Sequence, residues 1–201
     1  MTIQVGDTVP SMKLMQGTKD GPKEISTDDI FKGKKVVLFA VPGAFTPTCS
    51  AKHLPGFVQN AGAFTAKGVD TVACISVNDA FVMGAWGKDQ GTDDKVMMLA
   101  DGSAAFTKAL GLELDLNARG MGVRSQRFAL VAQDGKVEML ADGAAAFAKA
   151  IGLELDLNGR GMGWRSQRYA LVAQDGKVTH LGVEAPGGFE ASKAETILAS
   201  L

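Results

Sequence analysis

Two cysteines, two histidines and no C-x-x-C pair in 201 residues exclude a disulfide framework and leave little with which to hold a structural zinc ion. No apolar run approaches the roughly 18 residues of a membrane span. Neither sign of charge is in surplus. The net charge is −1, so no basic surface marks nucleic acid as a partner. The N-terminus, Met1-Thr-Ile-Gln-Val-Gly-Asp7, has neither a basic nor an apolar leader segment. It does not read as a signal or transit peptide, and the expected location is the cytoplasm. What is present is ordinary for a globular chain: 46% apolar and 21% charged residues, enough for a buried core. Cys49 and Cys74 are therefore either inert core residues, or one of them does chemistry.

The strongest pattern is internal. Residues 98–137 recur at 139–178 with an offset of 41, and only six of the 40 aligned positions differ: Ser103/Ala144, Thr107/Ala148, Leu110/Ile151, Ala118/Gly159, Val123/Trp164 and Phe128/Tyr169. Two copies are too few for a solenoid. They read as a tandem duplication inside an ordinary domain, so 1–201 is expected to be one domain carrying a repeat.

The remaining pattern alternates strand and helix. Lys35–Val41 is a continuous apolar run, as in a strand buried on both faces, and Pro42-Gly43 ends it. A helix is expected from about Thr48 to Ala66, bent where Pro55 removes a donor. Val69–Ser76 reads as a second buried strand, followed by a helix near 80–87 capped by Asn78 or Asp79. Lys95–Ala100 is a third strand and Ser103–Leu110 a short helix. Phe128–Gln133 runs into Asp134-Gly135, a strong hairpin signal that recurs at Tyr169–Gln174 and Asp175-Gly176. A helix from Gly188 to Leu201 closes the chain. Strand–helix–strand units imply parallel pairing, and the late hairpins imply an antiparallel edge. The expected class is α/β, a mixed sheet covered by helices. Segment 136–141 is claimed twice, as return strand of the first hairpin and as the start of the second copy. Part of the duplicated region must therefore sit outside the basic fold.

The stretch Val41-Pro-Gly-Ala-Phe-Thr-Pro-Thr-Cys-Ser50 carries the chemistry. A buried strand ends, a proline-rich turn follows, and Cys49 enters the first turn of a helix. Partial positive charge and free N–H donors there favour thiolate, the nucleophilic form. Thr46, three residues earlier, puts a hydroxyl on the side of the sulfur, where it can donate to the thiolate or orient an incoming oxygen. Pro42 and Pro47 stiffen the turn and shield the thiol.

This stretch resembles the P-x-x-x-T-x-x-C signature of the peroxiredoxins. Cys49-Ser-Ala-Lys-His-Leu-Pro-Gly-Phe57 and Ala73-Cys-Ile-Ser-Val-Asn-Asp-Ala-Phe81 are similar to the type II (peroxiredoxin-5) subfamily. The likeness covers the chain apart from one repeat copy. It implies a thioredoxin-like fold of three layers, a mixed central sheet flanked by helices, with the duplicated helix–hairpin segment added. It implies Cys49 as peroxidatic cysteine, Thr46 as the hydroxyl positioning the peroxide, Pro42 as the shielding residue, and an arginine opening the late R-F/Y-A-L-V strand. It further implies a thiol-dependent peroxidase acting on hydrogen peroxide and organic hydroperoxides through a sulfenic acid. No metal or organic cofactor is required, and glutathione/glutaredoxin or thioredoxin supplies the reducing thiol.

The repeat offers two arginines, Arg127 and Arg168, for one place. Arg168 is preferred because its strand leads without interruption into 178–184 and the C-terminal helix. Its loss is expected to be the more damaging of the two. Cys74, inside an apolar strand, is expected to be an inert buried thiol. Segment 184–190 holds no later cysteine, which points to a one-cysteine cycle. His53, four residues after Cys49 on the same helical face, is expected in packing or at an interface more than in tuning the thiolate. The glycine- and arginine-rich segments 119–127 and 160–168 have no helix after them to receive phosphate, and read as solvated or interface loops. Two other functions would use the same thiol: a redox relay to a partner, or an assembly scaffold. An unpaired Phe-Ala-Leu-Val-Ala strand favours a homodimer, possibly domain-swapped, whose interface contains residues from 112–168.

Overall fold

The structure, a computed structural model, describes residues 2–141, then 154–157, 163–166, 169–174, 177–183 and the single positions 190, 191, 196 and 199. The single domain expected over 1–201 divides by contact into two compact units, Met1–Ala144 and Ala145–Leu201.

The first unit is built on a seven-stranded mixed sheet whose strands lie in the order Gly21–Ser26 (β2), Lys13–Thr18 (β1), Met97–Ala100 (β5), Thr71–Ser76 (β4), Lys35–Val41 (β3), Phe128–Gln133 (β8) and Lys136–Ala141 (β9). Its centre is the apolar runs β3 (Lys35–Val41), β4 (Thr71–Ser76) and β5 (Met97–Ala100), which pair in parallel. Alternate residues serve opposite faces. Val36, Leu38, Ala40, Ala73, Ile75 and Leu99 join one apolar cluster. Val37, Phe39, Val41, Val72, Cys74 and Met98 join the other. The first cluster is covered by Ile30 and Phe31 of α1 (Thr27–Phe31) and Phe106 of α5 (Ala105–Ala109). The second is covered by Leu54 of α2 (Leu54–Gln59) and by Met83 and Trp86 of α4 (Ala80–Asp89). This is the expected three-layer, thioredoxin-like α/β arrangement. Asp79 caps α4, its carboxylate accepting from the Val82 N–H.

The antiparallel edge is also as expected. β8 (Phe128–Gln133) lies beside β3, and Asp134-Gly135 turns the chain into β9 (Lys136–Ala141). Both turn residues have positive φ, 48° and 78°, as a two-residue hairpin of matching twist requires. Segment 136–141 is thus the return strand of the first hairpin.

Several elements differ from expectation. The opposite sheet edge is a hairpin, β1 (Lys13–Thr18) and β2 (Gly21–Ser26), that periodicity did not separate. Residues 113–125 are not open loop but the hairpin β6 (Glu113–Leu116) and β7 (Gly122–Ser125). The third central strand starts at Met97, not Lys95. The long helix begins at Pro47, opens into a π-turn at Cys49–His53, resumes as α2, and breaks at Asn60 before α3 (Ala61–Ala66). Pro55 explains the π-turn: it cannot donate to a carbonyl one turn back, and the Leu54 N–H bonds five residues back to Cys49 O instead.

In the second unit, β10 (Glu154–Leu157) pairs with β11 (Gly163–Ser166), and β12 (Tyr169–Gln174) with β13 (Lys177–Val183). They form two separate two-stranded sheets. The registers copy those of the first unit at the 41-residue offset: Glu113↔Ser125 becomes Glu154↔Ser166, and the irregularity at Val131/Ala132 becomes Val172/Ala173. The expected turn at Asp175-Gly176 lies outside the described residues, as does the expected helix at 188–201 apart from the single positions 190, 191, 196 and 199.

Candidate active site

Every element of the site hangs on the end of β3. Val41, fully buried, hands the chain to half-buried Pro42 and then to a tight turn. Asn78, just past β4, holds that turn. Its Oδ1 accepts from the Ala44 N–H at 3.0 Å and from the Ser76 hydroxyl at 2.7 Å. Gly43 has little room to be anything else, since a Cβ there would lie 3.1 Å from the Thr46 methyl. Phe45 takes a left-handed backbone, φ 57°, uncommon for a residue with a side chain. The Thr46 hydroxyl donates to Gly43 O at 2.8 Å, and the Thr46 carbonyl accepts the Ser50 N–H at 3.0 Å. Cys49 is thus the third helical residue after a stiff proline turn, with its side chain only 1% exposed. Ser50 accepts from the indole N–H of buried Trp86 at 3.0 Å, which ties this helix to α4.

Arg127, in the link between β7 and β8, reaches the sulfur. Its Nη2 donates to Cys49 Sγ at 3.3 Å, and its Nη1 lies 2.6 Å from His53 Nδ1. Burial, and then the charge of Arg127, lowers the His53 pKa from 6.5 to about 4, so the ring is neutral at pH 7. It packs edge-on to Phe39, centroids 5.1 Å apart, and to Phe57 at 5.6 Å. Phe39 and Phe57 are themselves stacked at 3.8 Å.

Of the residues expected at the site, Cys49 and Arg127 meet, and Pro42 and Thr46 lie on the turn that delivers Cys49. Arg168 lies outside the described residues. The physical reason for the nearer copy being the one at the thiol is its place in the sheet: β8 is hydrogen-bonded along β3, whereas β12 pairs with β13. His53 packs as expected but also contacts Arg127. Two residues were missed. Arg124 donates through Nε to Met121 O at 2.7 Å and through Nη1 to Val77 O at 2.8 Å, which fastens the β6–β7 hairpin to the end of β4. Asn78, expected only as a candidate helix cap, instead holds the turn before Cys49. Arg124 could have been suspected from its position three residues before Arg127 in a segment carrying three arginines. Among the described residues, no group of three or more His, Cys, Asp or Glu is placed to hold a metal.

Cys74 stands in β4 opposite Phe39, 0% exposed. Burial, reinforced by the neighbouring Cys49, pushes its pKa well above the ordinary 9.0, so it stays a thiol at neutral pH. Cys74→Ser should leave peroxide turnover with a small thiol reductant within about twofold. It should lower the melting temperature, because a buried hydroxyl without a partner costs about 1–3 kcal/mol. Mass spectrometry detecting a Cys49–Cys74 disulfide after one equivalent of peroxide would contradict this.

The family model for redoxin matches residues 4–140 and, a second time, 136–198. The chain is 53% identical over 137 residues to Peroxiredoxin-2E, chloroplastic, of Arabidopsis thaliana, covering 66% of this chain and 58% of that protein. It is 54% identical over 138 residues to Peroxiredoxin-2E-2, chloroplastic, of Oryza sativa subsp. japonica, covering 66% of this chain and 61% of that protein. The chain thus spans about three fifths of the length of these relatives. The structure of reduced Prx3 from Vibrio vulnificus in complex with hydrogen peroxide superposes with a TM-score of 0.66 at 44% identity, covering 99% of each chain. The expected cytoplasmic location is overturned by these two relatives, both of which are chloroplastic proteins. The composition of the first residues does not decide an address where the likeness covers only part of a relative. The match at both copies and the identity to named peroxiredoxins agree with the geometry around Cys49: the chain belongs to the redoxin family, on its peroxiredoxin branch.

Proposed function

We propose that this chain is a thiol peroxidase acting on hydrogen peroxide and organic hydroperoxides, with Cys49 as the reacting residue. The observation that carries the reading is the guanidinium of Arg127 on Cys49 Sγ at 3.3 Å. A fixed cationic fork at a nearly buried sulfur can pair with a reacting thiolate and meet the charge that develops on a departing oxygen. The thiolate attacks one peroxide oxygen in line with the O–O bond. The S–O bond forms, the O–O bond breaks, and the leaving hydroxide or alkoxide takes a proton to become water or alcohol, leaving Cys49 as sulfenic acid. Because the Thr46 hydroxyl donates to Gly43 O, its lone pairs remain to accept from the peroxide O–H. Pro42 narrows the approach. An external thiol, such as glutathione with glutaredoxin, or thioredoxin, then forms a mixed disulfide and releases water. A second thiol regenerates Cys49. The burial and raised pKa of Cys74 support this one-cysteine cycle. The test is consumption of peroxide by the chain in the presence of a thiol, with a 16-dalton gain on Cys49 after one equivalent of peroxide and no thiol. Absence of both would overturn the reading.

We also propose that the chain forms a homodimer, by exchange of duplicated segments, with an interface containing residues from 112–168. β12–β13 repeats the hairpin that completes the sheet beside β3, so a second chain offers a matching slot at low cost. Light scattering is expected to find a dimer for the full chain and a monomer for a variant lacking 98–138. Two monomers at micromolar concentration would refute the exchange.

A further inference from the structure

We propose that His53 is a positioning residue, the neutral acceptor that fixes the Arg127 guanidinium against Cys49. The inference rests on the peroxidase reading for its catalytic consequence, but not for its geometry. Arg127 splits its two terminal nitrogens, Nη1 to His53 Nδ1 at 2.6 Å and Nη2 to Cys49 Sγ at 3.3 Å. A guanidinium carries donors only, so Nδ1 must be the acceptor and the single ring proton must sit on Nε2. Two anchor points fix the plane of the fork, whereas one bond to sulfur would leave it free to swing. The remaining N–H groups then keep a constant aim toward the space beside the sulfur.

The choice of a neutral acceptor has a consequence for charge. A carboxylate in this place would hold Arg127 as firmly, but would neutralise the cation that the sulfur and the leaving oxygen need. An imidazole without a proton on Nδ1 holds the fork and leaves its charge intact. The surroundings keep it so. Among the described residues, the charged group against the ring is Arg127, from the link before β8, which also meets Cys49 Sγ. The rings of Phe39 in β3 and Phe57 in α2 pack edge-on to it. Both the partial burial and the adjacent cation oppose protonation. The π-turn supplies the spacing, since Cys49 and His53 are its first and last residues.

Three variants and one spectrum decide the matter. His53→Leu removes the acceptor while keeping an apolar side chain against Phe39 and Phe57. It should lower the second-order rate of Cys49 oxidation by hydrogen peroxide roughly tenfold or more, the loss expected of a hydrogen bond to a charged group. His53→Asn puts an amide oxygen near the place of Nδ1 and should recover most of that rate. His53→Asp, which holds the fork but cancels its charge, should stay as slow as the leucine variant. Melting temperatures tell a misfolded variant from a slow one. Equal rates for wild type and His53→Leu, or an asparagine variant as slow as the leucine one, would overturn the role. Independently of any peroxide chemistry, nitrogen-15 NMR of the wild-type ring should find Nδ1 bare, Nε2 protonated and titration near pH 4. A proton on Nδ1, or titration near the ordinary 6.5, would overturn the inference even in a protein that proved to have another substrate.

Discussion

Cys49→Ser is expected to abolish peroxide consumption while leaving the melting temperature within a few degrees of the wild type. Serine nearly matches cysteine in shape, and the backbone at residue 49 is fixed by the turn and the π-turn. The chemical loss is complete because a hydroxyl at neutral pH is not ionised and oxygen is a poor nucleophile toward the O–O bond. Arg127 would then face a neutral group, which costs some of the stabilisation gained from its contact with Sγ. This loss sets the limit on how unchanged the stability can be. The measurement is peroxide loss per enzyme in the presence of excess thiol, with calorimetry on the same sample. Turnover retained in Cys49→Ser would move the chemistry to Cys74, against the burial and raised pKa of that thiol.

Arg127→Met should come next in severity. Removing one preorganised donor from a site where charge develops costs about 100-fold to 1,000-fold in rate. Here the donor is also the nearest cation to the sulfur. Methionine keeps much of the stem's volume, so the pairing of β8 with β3 should survive. Arg168→Met, by contrast, should slow the reaction far less than Arg127→Met, because Arg127 is the arginine that meets the sulfur. This reverses the order the sequence suggested. Comparison of the two single variants, each at several peroxide concentrations, checks it. Equal partial losses would mean that the two copies exchange places in the sheet.

Why the nearer copy occupies the sheet follows from chain closure. Using the second copy would lengthen the connection out of β4 about threefold, at an entropic cost of about 1 kcal/mol. That small bias acts between two nearly identical sequences, so it can decide the outcome. Continuity toward the C-terminal helix, the criterion that favoured Arg168, says nothing about closure. The buried strands, the Asp79 cap and the Asp134-Gly135 turn were legible because each depends on residues within one short window. The first hairpin carries no such signal in its turn, which is Lys19-Asp20; Gly21, with φ 110°, already belongs to β2. It was obscured further because Lys13–Thr18 is only partly buried, so its apolar alternation is weak. The π-turn, the Arg124 clamp and the Arg127–His53 contact were out of reach. Each joins residues far apart in sequence or depends on which carbonyl Pro55 leaves unpaired. The site's cysteine and its turn could be read from one segment, whereas the residues that orient its partner could not.

The near-complete burial of Cys49 has a kinetic signature. An oxidant of two heavy atoms can reach a sulfur with 1% exposure through side-chain motions on picosecond to nanosecond timescales. In the proposed cycle, a thiol large enough to be a cellular reductant would reach the sulfenic acid only when the chain around Cys49 opens, and local opening is a microsecond-to-second event. The two halves of that cycle would then obey different rate laws. Oxidation rises in proportion to peroxide, whereas reduction levels off with increasing thiol at the frequency with which the chain opens. Beyond that ceiling a better reductant gains nothing, and the throughput of the cycle becomes a property of the fold.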